Sequence, residues 1–173
     1  DLLHGEGTFL PAPSSVGSPA ARDVLVQEPF VARAMRLWDE LDVALVGIGG
    51  QETSGLLASS GNVFSPAELR TVREAGGVGD IGLRYLRGDG QPVDTPLNDR
   101  VIGIELEQLR RAPRSIAVAG GPGKTEAIRA ALVGGWISCL ITDTYTAERL
   151  LEGDSARDKT TTVEEERMGA GVV

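Results

Sequence analysis

The sequence predicts an α/β fold built on a mainly parallel sheet, with a small antiparallel excursion. Two observations carry that prediction. Glycine is abundant, 23 of 173 residues, while aromatics make up only 4%. The glycines punctuate short Val/Ile/Leu-rich runs, the pattern of buried strands joined to helices by tight turns. The later part of the chain also alternates, with strand-like RSIAVAGG, helix-like GKTEAIRAALVGG, strand-like ISCLITD and helix-like TYTAERLLEG. Strand–helix–strand–helix at this spacing demands right-handed crossovers and parallel pairing.

The elements follow in order. DLLHG reads as the last turn of a helix, and the chain opens without Met, so natural sequence is expected upstream of Asp1. GEGTFLPAPSS reads as a short strand and loop. In SPAARDVLVQ, Ser18 is a good N-cap and Pro19 suits the first helical position. FVARAMRLWDEL reads as a second helix, with Val31, Ala34, Met35 and Trp38 on one apolar face. DVALVGIGG (42–50) is a buried parallel strand entering a glycine loop, and residues 51–64 form the longest irregular stretch. SPAE, Ser65 to Glu68, is a capping box that starts a helix. GGVGDIGLRYL passes from loop to strand, and Asp89-Gly90 makes an antiparallel excursion plausible. LNDRVIGIELEQLRRAP is a short strand, then a helix ending before Pro113. The tail from Asp154 is polar and lacks a sustained pattern.

Composition narrows the function. An apolar fraction of 41% and a charged fraction of 24% are ordinary for a globular protein, and the length allows one domain or a domain plus a tail. The net charge of −8 argues against gripping nucleic acid directly. No apolar run approaches the roughly 18 residues a membrane span needs, and the start lacks the features of a signal peptide. The single cysteine, Cys139, cannot form an internal disulfide, so a cytoplasmic location is expected. Cys139 reads as a buried strand residue rather than a nucleophile.

Three glycine-rich motifs carry the chemistry. AVAGGPGKTEAI (117–128) approaches the phosphate loop G-x-x-x-x-G-K-[ST], but Val118 stands where the first glycine belongs. Only Gly120 to Gly123 separate strand from helix, too short a wrap for a nucleotide, although Asp143 could be claimed for Mg²⁺. A smaller device fits better: Gly120-Gly121 permits close backbone approach, the helix N-terminus offers unpaired N–H groups, and Lys124 adds a positive charge. An ordinary surface lysine fits the spacing equally well. The second motif places Gly47, Gly49 and Gly50 at a strand's carboxyl end, where open α/β sheets bind ligands. Glu52 excludes the dinucleotide fingerprint there, and the glycines could simply turn the chain. In the third, GVGDIG, Asp80 could accept sugar hydroxyls or satisfy its own backbone.

Five segments in series then carry a resemblance: LPAP; DVALVGIGG; GGVGDIGLRYLRGDGQPVDTPLNDRVIGIELEQLRRAP; SIAVAGGPGKTEAIRAALVGG; and LITDTYTAERLL. The chain resembles the C-terminal effector-binding domain of SorC/DeoR-type bacterial transcriptional regulators. The resemblance implies a Rossmann-like three-layer fold related to sugar-phosphate isomerases and CoA transferases. It implies a sugar or phosphorylated sugar as effector, a homo-oligomer (dimer or tetramer), and DNA contact only through an N-terminal helix-turn-helix outside these residues. Lys124 would then contact the phosphate or charged end, Gly120 and Gly121 would supply N–H groups, Asp80 would bind hydroxyls, and the Gly47–Gly50 loop would form another wall. Residues 1–153 would be a partial effector domain lacking its first strand and phosphate loop, and 154–173 a tail without counterpart. No role carries over to Asp99 or Arg100. No cofactor, metal or catalysis is expected. The alternatives are a sugar-phosphate isomerase or deaminase on the same fold, for which His4 is a poorly placed base, and an interaction module using Trp38 or Trp136.

Overall fold

The computed structural model describes residues 5–50 and 64–152. The expected helix end with His4, the loop 51–63 and the tail 154–173 lie outside the described residues. Helix α1 (Pro19–Gln27) starts as expected, the Ser18 hydroxyl accepting the Ala21 N–H at 3.2 Å. Helix α2 (Pro29–Arg36) buries Val31 and Ala34, with Met35 and Trp38 half-buried on the same face. It stops earlier than its pattern suggests, tightening into a 3₁₀ turn over Leu37–Glu40. That turn presents the Asp39 carboxylate to Gln108 (2.7 Å) and Arg111 (3.2 Å).

Strands β1 (Val43–Gly47), β4 (Arg114–Val118) and β5 (Cys139–Ile141) form a parallel sheet in the order β1-β4-β5. Helix α3 (Pro66–Glu74) carries the expected capping box between Ser65 and Glu68. Strands β2 (Gly77–Ile81) and β3 (Arg84–Arg87) pair antiparallel. GGVGDIGLRYL is therefore a hairpin rather than a passage from loop to strand. The chain reverses at Gly82-Leu83, both at positive φ (58° and 65°), as in the primed hairpin turns. Leucine is an unusual occupant of that region. Its N–H is held by the Asp80 Oδ2 at 2.9 Å. The expected turn at Asp89-Gly90 follows, and Leu86 bridges Pro92 across it.

The two short strands expected in GEGTFLPAPSS and LNDRVIG shrink to one antiparallel bridge between Ser15 and Val101. Prolines explain this, because they cannot donate to a ladder. Pro11 and Pro13 interrupt the first segment, and Pro96 opens a 3₁₀ turn over Pro96–Arg100 in the second. Helix α4 (Leu106–Arg111) ends before Pro113 as expected. A 3₁₀ turn over Pro122–Lys124 leads into α5 (Thr125–Val133), and α6 spans 144–152.

One core cluster joins Ala44 and Ala117 of the parallel sheet, Ile81 and Leu86 of the hairpin, Leu109 of α4 and Ile128 of α5. Each fully buried Ile or Leu contributes about 1.5–3 kcal/mol, enough to fix the loops that leave the strands. A second cluster around Phe64, Val72, Tyr85 and Val93 lies under the excursion. On the opposite face of the parallel sheet Val43, Leu45, Val118 and Ile141 are exposed, with no cover among the described residues. Cys139 shares that face, opposite Ile116, and is exposed rather than buried as its apolar neighbours suggest. The other helical layer of a three-layer fold is not among the described residues. Among these residues no helix is long and apolar enough to cross a membrane.

Candidate ligand-binding site

Because β1 and β4 run parallel, their carboxyl ends lie side by side, Gly47 opposite Val118. The chain leaving β1 is caught by β2. Gly49 donates to the Asp80 carbonyl at 2.9 Å, and the Asp80 N–H returns to Gly49 at 3.1 Å. A Cβ on Gly49 would fall 2.0 Å from the Asp80 Oδ1, and one on Gly50 would fall 2.7 Å from the Gly123 carbonyl and 3.5 Å from the Lys124 Cγ. The glycine loops after β1 and β4 are thus in contact, an approach no side chain would permit. Beside them lies a cavity of about 600 Å³, lined by Gly50, Val78, Gly120, Gly121, Pro122, Gly123, Lys124 and Glu126. Its size suits a small molecule.

The second loop is anchored from α6. The Gly121 N–H donates to the Thr146 hydroxyl at 2.8 Å and to the Asp143 Oδ2 at 3.0 Å. Asp143 Oδ1 accepts the Thr146 N–H at 2.9 Å, capping α6, and the Thr146 hydroxyl donates to Oδ2 at 2.7 Å. These bonds, those from Thr146 foremost, hold the Asp143 carboxyl below the ordinary carboxylate range. The carboxylate open to a Mg²⁺ reading is therefore committed to the loop's own architecture. So is the Gly121 N–H, expected to face a ligand. Among the described residues no group of His, Cys, Asp or Glu side chains could hold a metal ion.

Lys124 ends the 3₁₀ turn and occupies the N-cap position of α5, one residue ahead of the first turn where its sequence position places it. Asp80 lies within β2 rather than at its start. Burial pushes its carboxyl up, against the Leu83 N–H and then the Lys124 charge, both of which favour the ionised form. Of the residues singled out in the sequence, Gly50, Gly120, Gly121 and Lys124 line the cavity. Gly49 and Asp80 form the bridge beside it, and Gly47 stands apart with open space around it. Gly123, the glycine before Lys124 in the near phosphate loop, joins the lining, and Val78, Pro122 and Glu126 complete it with no sequence signal that marks them as site residues. An acid in a first helical turn reads as a dipole partner, which hides Glu126. Arg100 braces the excursion, bonding Glu68 and the Val16 carbonyl and lying over the Phe64 ring.

An open α/β sheet whose strand ends hold a glycine-lined cavity with one lysine and one carboxylate defines a small-molecule-binding module. The chain belongs to the Sugar-bind family, described as “Putative sugar-binding domain”, whose model matches residues 1–152. It is 35% identical over 147 residues to the transcriptional regulator LsrR of Klebsiella pneumoniae subsp. pneumoniae, covering 83% of this chain and 45% of that protein. It is 34% identical over 151 residues to the sorbitol operon regulator of Klebsiella pneumoniae, covering 87% and 47%. The full-length sorbitol operon regulator SorC from that organism superposes with a TM-score of 0.75 at 34% identity, over 80% of this chain and 45% of that one. A transcriptional regulator from Streptococcus pneumoniae TIGR4 superposes with a TM-score of 0.77 at 31% identity, over 88% and 58%. The chain spans about half the length of the curated relatives it matches. The resemblance to SorC/DeoR-type regulators read from the sequence holds.

Proposed function

We propose that this domain senses a sugar or phosphorylated sugar on behalf of a bacterial transcriptional regulator acting in the cytoplasm. The observation that carries the reading is the meeting of the β1 and β4 glycine loops over a cavity bearing Lys124. Lys124 takes the phosphate or other charged end, helped by the Gly120 backbone. Glu126 accepts sugar hydroxyls, as does Asp80, whose Oδ1 reaches Gly49. The relatives named as regulators of operons support the assignment of a sensing role. In the whole protein, ligand stabilises one arrangement of protomers in a dimer or tetramer. Linkage passes that free energy to a DNA-binding part outside this chain. A coupling of about 1–3 kcal/mol changes operator affinity about 5- to 150-fold.

The test is thermal unfolding against a panel of sugars and sugar phosphates, in this chain and in the full-length protein. A ligand at 100 times its dissociation constant adds about 2.7 kcal/mol. Lys124→Ala should weaken a phosphorylated ligand at least about tenfold, the worth of one hydrogen bond to a charged group, while changing unliganded stability by less than about 0.5 kcal/mol. No shift with any compound in the full-length protein overturns the reading.

A further inference from the structure

The loop between β4 and α5 turns most of its amides inward. From Gly120 to Thr125, Pro122 has no N–H to give. The Gly121 N–H is taken by Asp143 and Thr146. The Lys124 N–H donates to the Gly121 carbonyl at 3.1 Å, and the Thr125 N–H to the Pro122 carbonyl. That leaves the amides of Gly120 and Gly123 for a ligand. A phosphate-binding loop is built the other way, with successive N–H groups turned toward the phosphate oxygens.

The charges on the same walls set a second limit. Lys124 is the one cation among the described residues of the lining. It stands at the start of α5, where the helix dipole adds partial positive charge and, among the described residues, no side chain caps the helix. Both features favour an anion. Against them stands the exposed carboxylate of Glu126 in the same lining. A second carboxylate lies behind Gly120, where a Cβ would fall 2.3 Å from the Asp143 Oδ2. A phosphomonoester brings a charge of about −1.5 to −2 and three acceptor oxygens to these walls. A carboxylate brings a single charge and two oxygens, which Lys124 and one loop amide can satisfy. Resting on the sugar-sensing reading above, we propose that the charged end of the ligand is a carboxylate. The effector is then a sugar acid, and Glu126 is the residue that selects against phosphate.

Fragments without stereochemistry test the charged end alone. Glycolate joins a carboxylate to one hydroxyl, hydroxyethyl phosphate joins a phosphate to one hydroxyl, and ethylene glycol carries hydroxyls only. The Gly120 and Gly123 amide signals of this chain are followed by ¹⁵N–¹H NMR at neutral pH and constant ionic strength while each is added. The expected result is a saturating shift with glycolate at a concentration at least about tenfold below that needed for either of the others. Lys124→Ala should abolish the glycolate response. Glu126→Gln, at an exposed position, should strengthen hydroxyethyl phosphate more than glycolate, since a dianion gains about twice what a monoanion gains from the loss of a like charge. Hydroxyethyl phosphate binding as tightly as glycolate overturns the proposal and leaves the sensing reading standing, with a phosphorylated sugar as ligand. Ethylene glycol matching glycolate overturns it in favour of a neutral sugar. A gap unchanged by Glu126→Gln, a glycolate response that survives Lys124→Ala, or no saturation with any fragment overturns it as well. The sensing reading itself falls only if the full-length protein also fails to respond to the sugar panel.

Discussion

The loops after β1 and β4 look alike in sequence and are held by different forces. Gly49, in the first, is locked by two main-chain hydrogen bonds to Asp80, and Gly49 and Gly50 are required because atoms of Asp80 and Gly123 occupy the space a Cβ would need. The second loop is held by side chains, Asp143 and Thr146 of the α6 start, which take the Gly121 N–H. Gly121 is required by its conformation, φ 97°, rather than by crowding. The first loop thus depends on shape, and the second on shape plus an ionised carboxylate. Steric changes should separate the two in one way, and pH in another.

Gly49→Ala should have the largest effect. The new methyl displaces the Asp80 Oδ1, and that buried side chain cannot move without straining its bond to the Leu83 N–H. Overpacking of this kind costs about 1–3 kcal/mol, to which a weakened hydrogen bond adds about 1 kcal/mol. Urea unfolding at neutral pH measures it. A loss below about 0.5 kcal/mol would show that Asp80 has room to turn, and that the first loop is less tightly set than the second.

Asp143→Ala comes next and acts on the second loop alone. It removes the cap of α6 and one of the two acceptors of the Gly121 N–H. The folded state holds this carboxyl below its ordinary range, so its contribution is full above that range and is lost as pH falls through the lowered folded-state value. The gap in unfolding midpoint between wild type and variant should therefore be widest near neutrality and close in acid. A gap independent of pH would mean that the carboxylate's charge does not matter there.

Asp80→Asn is smaller still and opposite in sign. Burial, the foremost influence on this carboxyl, raises its folded-state value. Its stabilising contribution is full when protonated and lost as pH rises through that raised value. Asparagine keeps an acceptor for the Leu83 N–H and removes the buried charge. It should raise the unfolding midpoint at neutral pH, match wild type in acid, and weaken sugar binding about tenfold by removing a charge-assisted acceptor. A variant no more stable than wild type at neutral pH would show that Lys124 already compensates the charge.

These contrasts mark how far the sequence could be read. The parallel strands and the capping box at Ser65 were legible, because apolar runs and cap residues are local signals, whereas the meeting of Gly50, Gly120 and Lys124 at one site was legible only through the family resemblance. What escaped depends on distant partners. The Gly82-Leu83 reversal is hidden because leucine is not a turn residue, and only the Asp80 side chain makes the position tolerable. The role of Asp143 requires knowing that α6 starts beside Gly121, 22 residues earlier in the chain. The exposure of Cys139 requires knowing which face of the sheet is left uncovered among the described residues.

Gly47→Ala is the smallest expected effect and the sharpest control on the comparison. In sequence Gly47 belongs with Gly49 and Gly50, one glycine cluster at one strand end. In the structure it ends β1 with nothing among the described residues within 4 Å of where a methyl group would sit, and without the positive φ of Gly121. Alanine restricts the unfolded chain more than glycine does and meets no obstacle here, so stability should rise by about 0.4–1 kcal/mol. Sugar affinity should not change, because Gly47 neither lines the cavity nor belongs to the Gly49–Asp80 bridge beside it. The side of the sheet that Gly47 shares with Val118 and Ile141 is the exposed one. A loss of stability from so small a group would mean that this face is covered by something beyond the described residues, and measuring the variant in the full-length protein would show whether that cover belongs to the same polypeptide.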